Sequence, residues 1–213
     1  MFSGCPFTVL RIWNKRILFP KEHSDRLKVD EATLIRDVRF EEDCRVVVVN
    51  FNNVLFSVGE PIPETPGTCK VKVIEFKRND PQRKTTDWAE ERTRLQDPSI
   101  YETIMSHDQR LCEGLSSSFL AINHQGQIMT APEEEVLRGT MIQEVLNIFK
   151  CKGFHIRREA PLLEQIRNAF ICSTSRLIIP VEEIQMDGKI YPLEVYPETE
   201  QLRKDLSDRL TKD

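Results

Sequence analysis

The 213-residue sequence lacks the patterns that mark several specialised classes of protein. It has no apolar run near the ~20 residues that a transmembrane helix needs, so no membrane association is expected. No two of its six cysteines are spaced as CxxC and its four histidines are scattered, which gives no metal-ligand pattern. The net charge of −4 shows no surplus of lysine and arginine, which argues against general binding of nucleic acids.

The first residues, MFSGCPFTVLRIWNKR, also lack the basic-then-apolar order of a secretory signal. A strand-like pattern begins almost at once, which disfavours an organellar transit peptide. We therefore expect a cytoplasmic protein with reduced cysteines, while import into an organelle stays open.

Strand-forming patterns dominate the first third of the chain. The predicted elements are two strands within residues 7–19 around a turn at Asn14 and Lys15, a helix from Pro20, a buried strand at 45–51 and a half-buried strand at 70–76. Three prolines and two glycines make residues 59–67 a loop. The polar stretch 78–83 marks a boundary, which predicts a small domain at residues 1–80 and a larger one at 81–213.

Helices and strands alternate in the remainder of the chain. Asp87 is a candidate cap of a predicted helix that runs through residues 88–96. Further predicted helices cover residues 98–107, 140–150, 162–169 and 198–213, and the predicted strands cover 119–122, 127–130, 170–172 and 177–181. Strands first and a mixture afterwards are typical of an α+β or α/β protein with a small and a larger unit.

Three features of the second half have the chemistry of an anion site. Gly139 directly precedes a predicted helix, whose N-terminal N–H groups attract anions. The hydroxyl residues 173–175 follow a predicted strand. Glu113 precedes three serines and another strand. Each feature also has an ordinary explanation as a turn, a cap or a solvated charge, so by themselves they indicate only a possible anion site.

The order of four blocks in this region is more specific than any one of them. The blocks are EGLSSSFLAI, GQIMTAP, VLRGTMIQEVLNIFKCKGF and IRNAFICSTSRLIIPVEEI, which together cover residues 113–184. They resemble the class IV aminotransferases, the fold type IV pyridoxal-phosphate enzymes that include branched-chain and D-amino-acid aminotransferases and aminodeoxychorismate lyase. Upstream, the sequence around His23 and Arg26 resembles the H-x-x-R-L helix of that family.

This resemblance implies an α+β fold with a small, shortened N-terminal α/β unit and a larger C-terminal domain. The larger domain would have a β-barrel-like mixed sheet and flanking helices. The implied cofactor is pyridoxal 5'-phosphate, the implied partner is a small amino-acid or keto-acid substrate, and the implied assembly is a homodimer.

The resemblance also implies a catalytic lysine upstream of Glu113. The candidates are Lys70, Lys72, Lys77 and Lys84. Lys84 best fits the family, because it opens a K-x-x-D stretch and lies 29 residues before Glu113 (113 − 84). It would hold the cofactor as an aldimine and move the proton during catalysis. The alternative is a solvated lysine in a basic connector.

The remaining roles are implied in the same way. Glu113 would pair with the pyridine nitrogen and make the ring an electron sink. Arg26 would bind the phosphate, since a guanidinium is always charged and donates two hydrogen bonds at once. The backbone N–H groups of Thr140 and Met141 and the residue Thr174 would complete the phosphate contacts.

Several positions depart from the family pattern. Met141 replaces a threonine whose hydroxyl usually contacts the phosphate, Ser118 replaces an asparagine, and Trp88 lies where many members have a tyrosine. Only 58 positions separate Arg26 from Lys84 (84 − 26), which predicts a shortened small domain.

Three functions therefore stay open. The first is a pyridoxal-phosphate-dependent aminotransferase acting on an amino acid through Lys84. The second is a carbon–carbon lyase of the aminodeoxychorismate type, which begins with the same chemistry. The third is a non-catalytic member that keeps the fold, which the short small domain and Met141 motivate.

Overall fold

The computed structural model describes residues 2–210, which divide into two compact units. The small unit comprises residues 2–64, 83–94 and 174–176. The large unit comprises residues 65–82, 95–173 and 177–210. The sequence-based boundary between residues 80 and 81 stays a prediction.

An antiparallel sheet with helices forms the small unit. Its elements are β1 (Phe7–Trp13), β2 (Arg16–Ile17), α1 (Pro20–Leu27), α2 (Glu31–Asp37), β3 (Cys44–Phe51), β4 (Val54–Glu60) and α3 (Thr86–Leu95). The strand order is β2-β1-β3-β4. The predicted hairpin is confirmed, since Asn14 and Lys15 both have the positive φ that a tight turn of this kind requires. The helix predicted from Pro20 is confirmed as α1.

The strand predicted at 45–51 is buried on one face only. Val46 and Val48 are fully buried, whereas Val47 and Val49 are half-buried. The predicted strand is confirmed as β3, and its burial is one-sided because this antiparallel sheet packs a single face against the core of its unit. That core contains Leu10, Ile12, Leu27, Leu34, Val46 and Val48.

The large unit is a mixed sheet with two long helices. Its strands are β5 (Cys69–Glu75), β6 (Glu102–His107), β7 (Arg110–Gly114), β8 (Ser118–Asn123), β9 (Ile128–Thr130), β10 (Ile156–Arg158), β11 (Ile166–Ser173), β12 (Leu177–Met186) and β13 (Lys189–Pro192), and its helices are α4 (Thr140–Cys151) and α5 (Thr199–Leu210). The order β8-β11-β12-β5-β6-β7 closes into a barrel, because β7 pairs again with β8. The expected barrel-like mixed sheet with flanking helices is confirmed.

Local patterns predicted several of these elements correctly. β5 alternates between buried and exposed residues, and β8 pairs with β9 as a hairpin. α4 buries one apolar face, and Gly153, at φ 86°, follows its end as predicted. The C-terminal helix is confirmed as α5, and residues 211–213 of that prediction lie outside the described residues.

Two predicted helices are strands in the structure. Residues 102–107 of the predicted helix 98–107 form β6, which is paired on both sides, with β5 and with β7. Residues 162–169 contain only a 3-10 turn, Leu163–Gln165, before β11 begins. Strand β11 pairs with both β8 and β12. Pairing on both sides decides the conformation of such central strands, whatever their local propensity.

Within residues 2–210, no helix is long and apolar enough to cross a bilayer.

Candidate functional site

Lys84 lies in the small unit, where the start of β1 fixes its backbone. The Phe7 N–H donates to the Lys84 carbonyl at 3.0 Å, and the Thr86 N–H donates to the Cys5 carbonyl at 2.9 Å. The Lys84 Nζ lies 5.3 Å from the centre of the Phe7 ring, within the range of a cation–π contact. Two chain segments far apart in sequence therefore hold this lysine in place.

Arg26 lies in the last turn of α1 in the same unit. It is half-buried, and its Nη1 donates to the Thr8 Oγ at 3.4 Å. Burial lowers the pKa of Arg26 below its ordinary value. The Asn50 side chain donates to the Leu27 carbonyl at 2.7 Å, which fixes the end of the helix that carries Arg26.

His23 lies near both of these cations, although sequence reasoning gave it no role of its own. It is fully buried, and its Nδ1 lies 2.7 Å from the Thr8 Oγ. Burial, followed by the positive charges of Arg26 and Lys84, lowers the pKa of His23 to about 3. His23 is therefore neutral at physiological pH, and both predicted cofactor-binding cations lie near enough to act on it.

Thr174 belongs to the small unit by its contacts and lies in the turn between β11 and β12. It is 8% exposed. The structure thus assigns Arg26, Lys84 and Thr174 to one unit.

Glu113 lies in the large unit on β7, opposite Ser118 in the pair that closes the barrel. Its side chain is 8% exposed, and its Oε1 accepts from the Arg78 Nη1 at 2.9 Å. Its Oε2 accepts from the Leu137 N–H at 3.1 Å. Both oxygens of Glu113 therefore take part in hydrogen bonds within the large unit.

Arg78 is the residue of this site that sequence reasoning missed. It was placed in a polar connector, yet its side chain is only 5% exposed. A buried carboxylate needs a cation or several hydrogen-bond donors beside it. If Glu113 was expected to be buried, that need was the only indication in the sequence that it has a basic partner. Nothing in the sequence indicated which basic residue meets it.

A second buried carboxylate supports the turn that follows Glu113. The Glu102 Oε2 accepts from the Ser116 Oγ at 2.7 Å and from the Ser117 Oγ at 2.9 Å. A Cβ added to Gly114 would lie 2.3 Å from the Ser117 Oγ, so the turn has no space for a larger residue. Two of the predicted serines therefore hold the backbone next to Glu113.

The N-terminus of α4 is the third part of the large-unit site. Gly139 is its N-cap, and no side chain among the described residues caps the helix by a hydrogen bond. The Thr140 Oγ is buried and has no hydrogen-bond partner within residues 2–210. Met141 is 1% exposed, so its side chain belongs to the core. A helix start with a buried, unpartnered hydroxyl is suited to an anion.

Gly139 and Ser118 lie in close contact beside this helix start. A Cβ on Gly139 would lie 2.5 Å from the Ser118 Oγ. A narrow cleft next to them within the large unit is lined by Glu113, Ser118, Leu137 and Ile142. The structure therefore brings Glu113 and the start of α4 to one cleft.

The other candidate lysines all lie in the large unit and have surface partners. Lys70 pairs with Glu183 at 3.2 Å and Lys72 with Asp97 at 2.9 Å. The Nζ of Lys77 lies 3.3 Å from His107 Nε2. These contacts give the three side chains the ordinary role of solvated surface cations.

Comparison with known sequences identifies the family. The sequence pattern of the family described as "Amino-transferase class IV" matches residues 46–184, more than half of the chain. The chain belongs to this family. A comparison with curated protein sequences gives no match.

Comparison with solved structures shows the same fold in several relatives. A branched-chain aminotransferase from Thermoproteus uzoniensis, solved with norvaline, has a TM-score of 0.79 at 18% identity over 97% of this chain and 85% of that one. A hypothetical aminotransferase from Mycobacterium tuberculosis, in its PLP-bound form, has a TM-score of 0.75 at 14% identity, over 99% of this chain and 89% of that one. A 4-amino-4-deoxychorismate lyase from Pseudomonas aeruginosa has a TM-score of 0.75 at 16% identity, over 96% of this chain and 90% of that one. The expected fold type is confirmed.

Proposed function

We propose that this protein is a pyridoxal-phosphate-dependent aminotransferase that acts on an amino acid. Lys84 is the proposed catalytic residue and point of covalent attachment, and Arg26, Glu113, Thr140, Met141 and Thr174 are the proposed binding residues. A homodimer is proposed from the family alone. Family membership supports the general class, and the residues of this chain support the individual roles.

The buried Glu113 carboxylate is the observation that carries the proposal. The Arg78 guanidinium lies 2.9 Å from it, and a neighbouring positive charge favours the ionised form of a carboxylate. An ionised carboxylate can accept the N–H of a protonated pyridine ring. When bound, the cofactor withdraws electrons from the amino acid Cα, and a protonated ring nitrogen makes that withdrawal effective.

The phosphate end of the proposed ligand matches donors in the large unit. In the large unit, the start of α4 presents backbone N–H groups, and the unpartnered hydroxyl of Thr140 can replace the one that Met141 lacks. Arg26, which lies in the small unit, is included because a guanidinium is suited to a phosphate. The residues present therefore fit a group that has a phosphate at one end and a ring nitrogen at the other.

Lys84 would use its amine in two ways. It would hold the cofactor covalently, and after the amino acid replaces it, its free Nζ would take the proton from the Cα and return it to the cofactor. The hydrogen bonds that fix its backbone to residues 5–7 would leave only its side-chain torsions free to move during both steps.

The same residues are compatible with a lyase of the aminodeoxychorismate type, because that reaction starts with the same attachment. The products separate the two reactions. A keto acid formed from an amino donor supports the aminotransferase, whereas pyruvate together with an aromatic amine supports the lyase.

The proposal is tested by adding pyridoxal phosphate to the purified protein and recording its visible spectrum. We expect a yellow complex that borohydride bleaches, with the pyridoxyl group found on Lys84 by peptide mass spectrometry. The Lys84→Met variant should lose the adduct, and the matched surface variant Lys77→Met should keep it. A protein that binds no cofactor at micromolar concentration contradicts the proposal and supports the non-catalytic alternative.

A further inference from the structure

We propose that Thr8 and His23 are positioning residues, which orient the Arg26 guanidinium through a hydrogen-bond chain of fixed direction. In this chain, Thr8 donates its hydroxyl proton to His23 and accepts a hydrogen bond from Arg26. The inference rests on the proposed function in one respect only, namely that Arg26 binds the cofactor phosphate.

The three side chains meet in the core of the small unit. His23 and Arg26 are three residues apart on α1 and therefore lie on one face of the helix. Thr8 extends from β1 toward that face. Thr8 and His23 are both 0% exposed, and the Thr8 Oγ lies 2.7 Å from the His23 Nδ1 and 3.4 Å from the Arg26 Nη1. The contact with the guanidinium is long and the contact with the imidazole is short.

The direction of the chain follows from the donors and acceptors that are present. Arg26 has only donors, so the Thr8 oxygen must accept from it. The Thr8 proton then needs an acceptor, and within residues 2–210 the only neighbour that can provide one is the His23 Nδ1. In this arrangement His23 carries its proton on Nε2, and that single N–H is the one group left without a partner.

The opposite tautomer is less favourable. If His23 donated from Nδ1, the Thr8 hydroxyl proton and the Nε2 lone pair would both be buried without partners. Each buried group without a hydrogen-bond partner lowers the stability of the folded protein. A doubly protonated ring would also place a third positive charge beside Arg26 and Lys84. The neutral tautomer with Nε2–H is therefore the stable one.

A fixed Thr8 oxygen restricts the guanidinium. Arginine has many rotamers, and one buried acceptor at its Nη1 selects those that point the remaining donors in one direction. A ligand with a phosphate then meets an arginine that is already ordered, which removes part of the entropic cost of binding. A ligand without a phosphate gains nothing from this ordering.

Two pairs of nearly isosteric variants test the chain. Thr8→Val and His23→Leu remove the hydroxyl and the acceptor, whereas Thr8→Ser and His23→Asn retain them. We expect the first pair to weaken the affinity for pyridoxal phosphate by about tenfold or more, from the usual value of a hydrogen bond to a charged group. The second pair should stay within about threefold.

Unphosphorylated pyridoxal is the control ligand. A merely structural role of Thr8 and His23 would weaken pyridoxal and pyridoxal phosphate alike, whereas the proposed role weakens only the phosphorylated form. Equal losses for both ligands, or no loss in Thr8→Val, would overturn the proposal. Circular dichroism of each variant verifies the fold, and the conservative pair keeps the test decisive if Thr8→Val or His23→Leu does not fold.

A second measurement does not depend on the cofactor. Long-range proton–nitrogen NMR correlations of the His23 ring should show a bare Nδ1 and a protonated Nε2 at neutral pH, and this pattern should change in Thr8→Val. A His23 ring protonated on Nδ1 contradicts the proposed hydrogen-bond chain. If the wild-type protein binds no pyridoxal phosphate, the proposed function fails, and the NMR pattern alone then decides the hydrogen-bond chain.

Discussion

Removal of Arg78 should destabilise the protein more than removal of any ordinary surface arginine. The Arg78 and Glu113 side chains are 5% and 8% exposed and 2.9 Å apart, so the Arg78→Met variant leaves a carboxylate buried without its cation. The Leu137 N–H also donates to Glu113, and one amide does not replace a guanidinium. Breaking such a pair from one side costs about 3–5 kcal/mol.

The assay is urea denaturation followed by circular dichroism, which gives the free energy of unfolding. Arg94→Met is the matched control, because the Arg94–Glu90 pair is 75% and 71% exposed and such pairs contribute little. The double variant Arg78→Met, Glu113→Gln should recover at least about 2 kcal/mol of the loss, since a neutral amide needs no cation. If Arg78→Met unfolds as easily as Arg94→Met does, or if the double variant shows no recovery, the burial argument for Glu113 is incorrect.

Two further predictions concern the His23 proton and the Gly114 turn. Unfolded His23 takes up a proton below about pH 6.5 and folded His23 only near its pKa of about 3, so stability is lost as the pH falls through this window. Between about pH 5.5 and 4.5, the free energy of unfolding of the wild type should therefore fall more steeply with decreasing pH than that of His23→Gln. The difference between the two slopes should be about 1.4 kcal/mol per pH unit. Parallel curves would show that His23 is not buried and neutral. The Gly114→Ala variant should lose about 1–3 kcal/mol in denaturation, because its Cβ would displace the Ser117 hydroxyl from Glu102. Gly67→Ala, with open space around its added Cβ, is the control, and an equal change in both variants would argue against the tight turn.

Elements with a strong local pattern were predictable from the sequence. The hairpin at Asn14, the start of α1 at Pro20 and the apolar face of α4 depend on residues a few positions apart. Such patterns act through turn chemistry, capping and helical periodicity, which neighbouring residues determine. The order of the sequence blocks in residues 113–184 indicated the family for a similar reason, since it can be recognised without knowing any contact.

Elements whose conformation depends on distant partners were not predictable in this way. Strand β6 is held between β5 and β7, and β11 between β8 and β12, so pairing on both sides replaced the helices that spacing had indicated. The same limit applied to β3, where only the finished sheet shows which face of the valine run lies in the core.

The same distinction between local patterns and distant contacts applies to the residues of the candidate site. By itself, the sequence supplied the residue types, namely the glutamate, the arginine in its helix, the lysine and the glycine before α4. Only the tertiary structure paired Arg78 with Glu113, 35 positions apart, and placed Thr8 against His23 and Arg26. Burial, ionic pairing and hydrogen-bond direction are properties of the folded environment, because they depend on which groups exclude water from one another. Local sequence patterns do not encode that information.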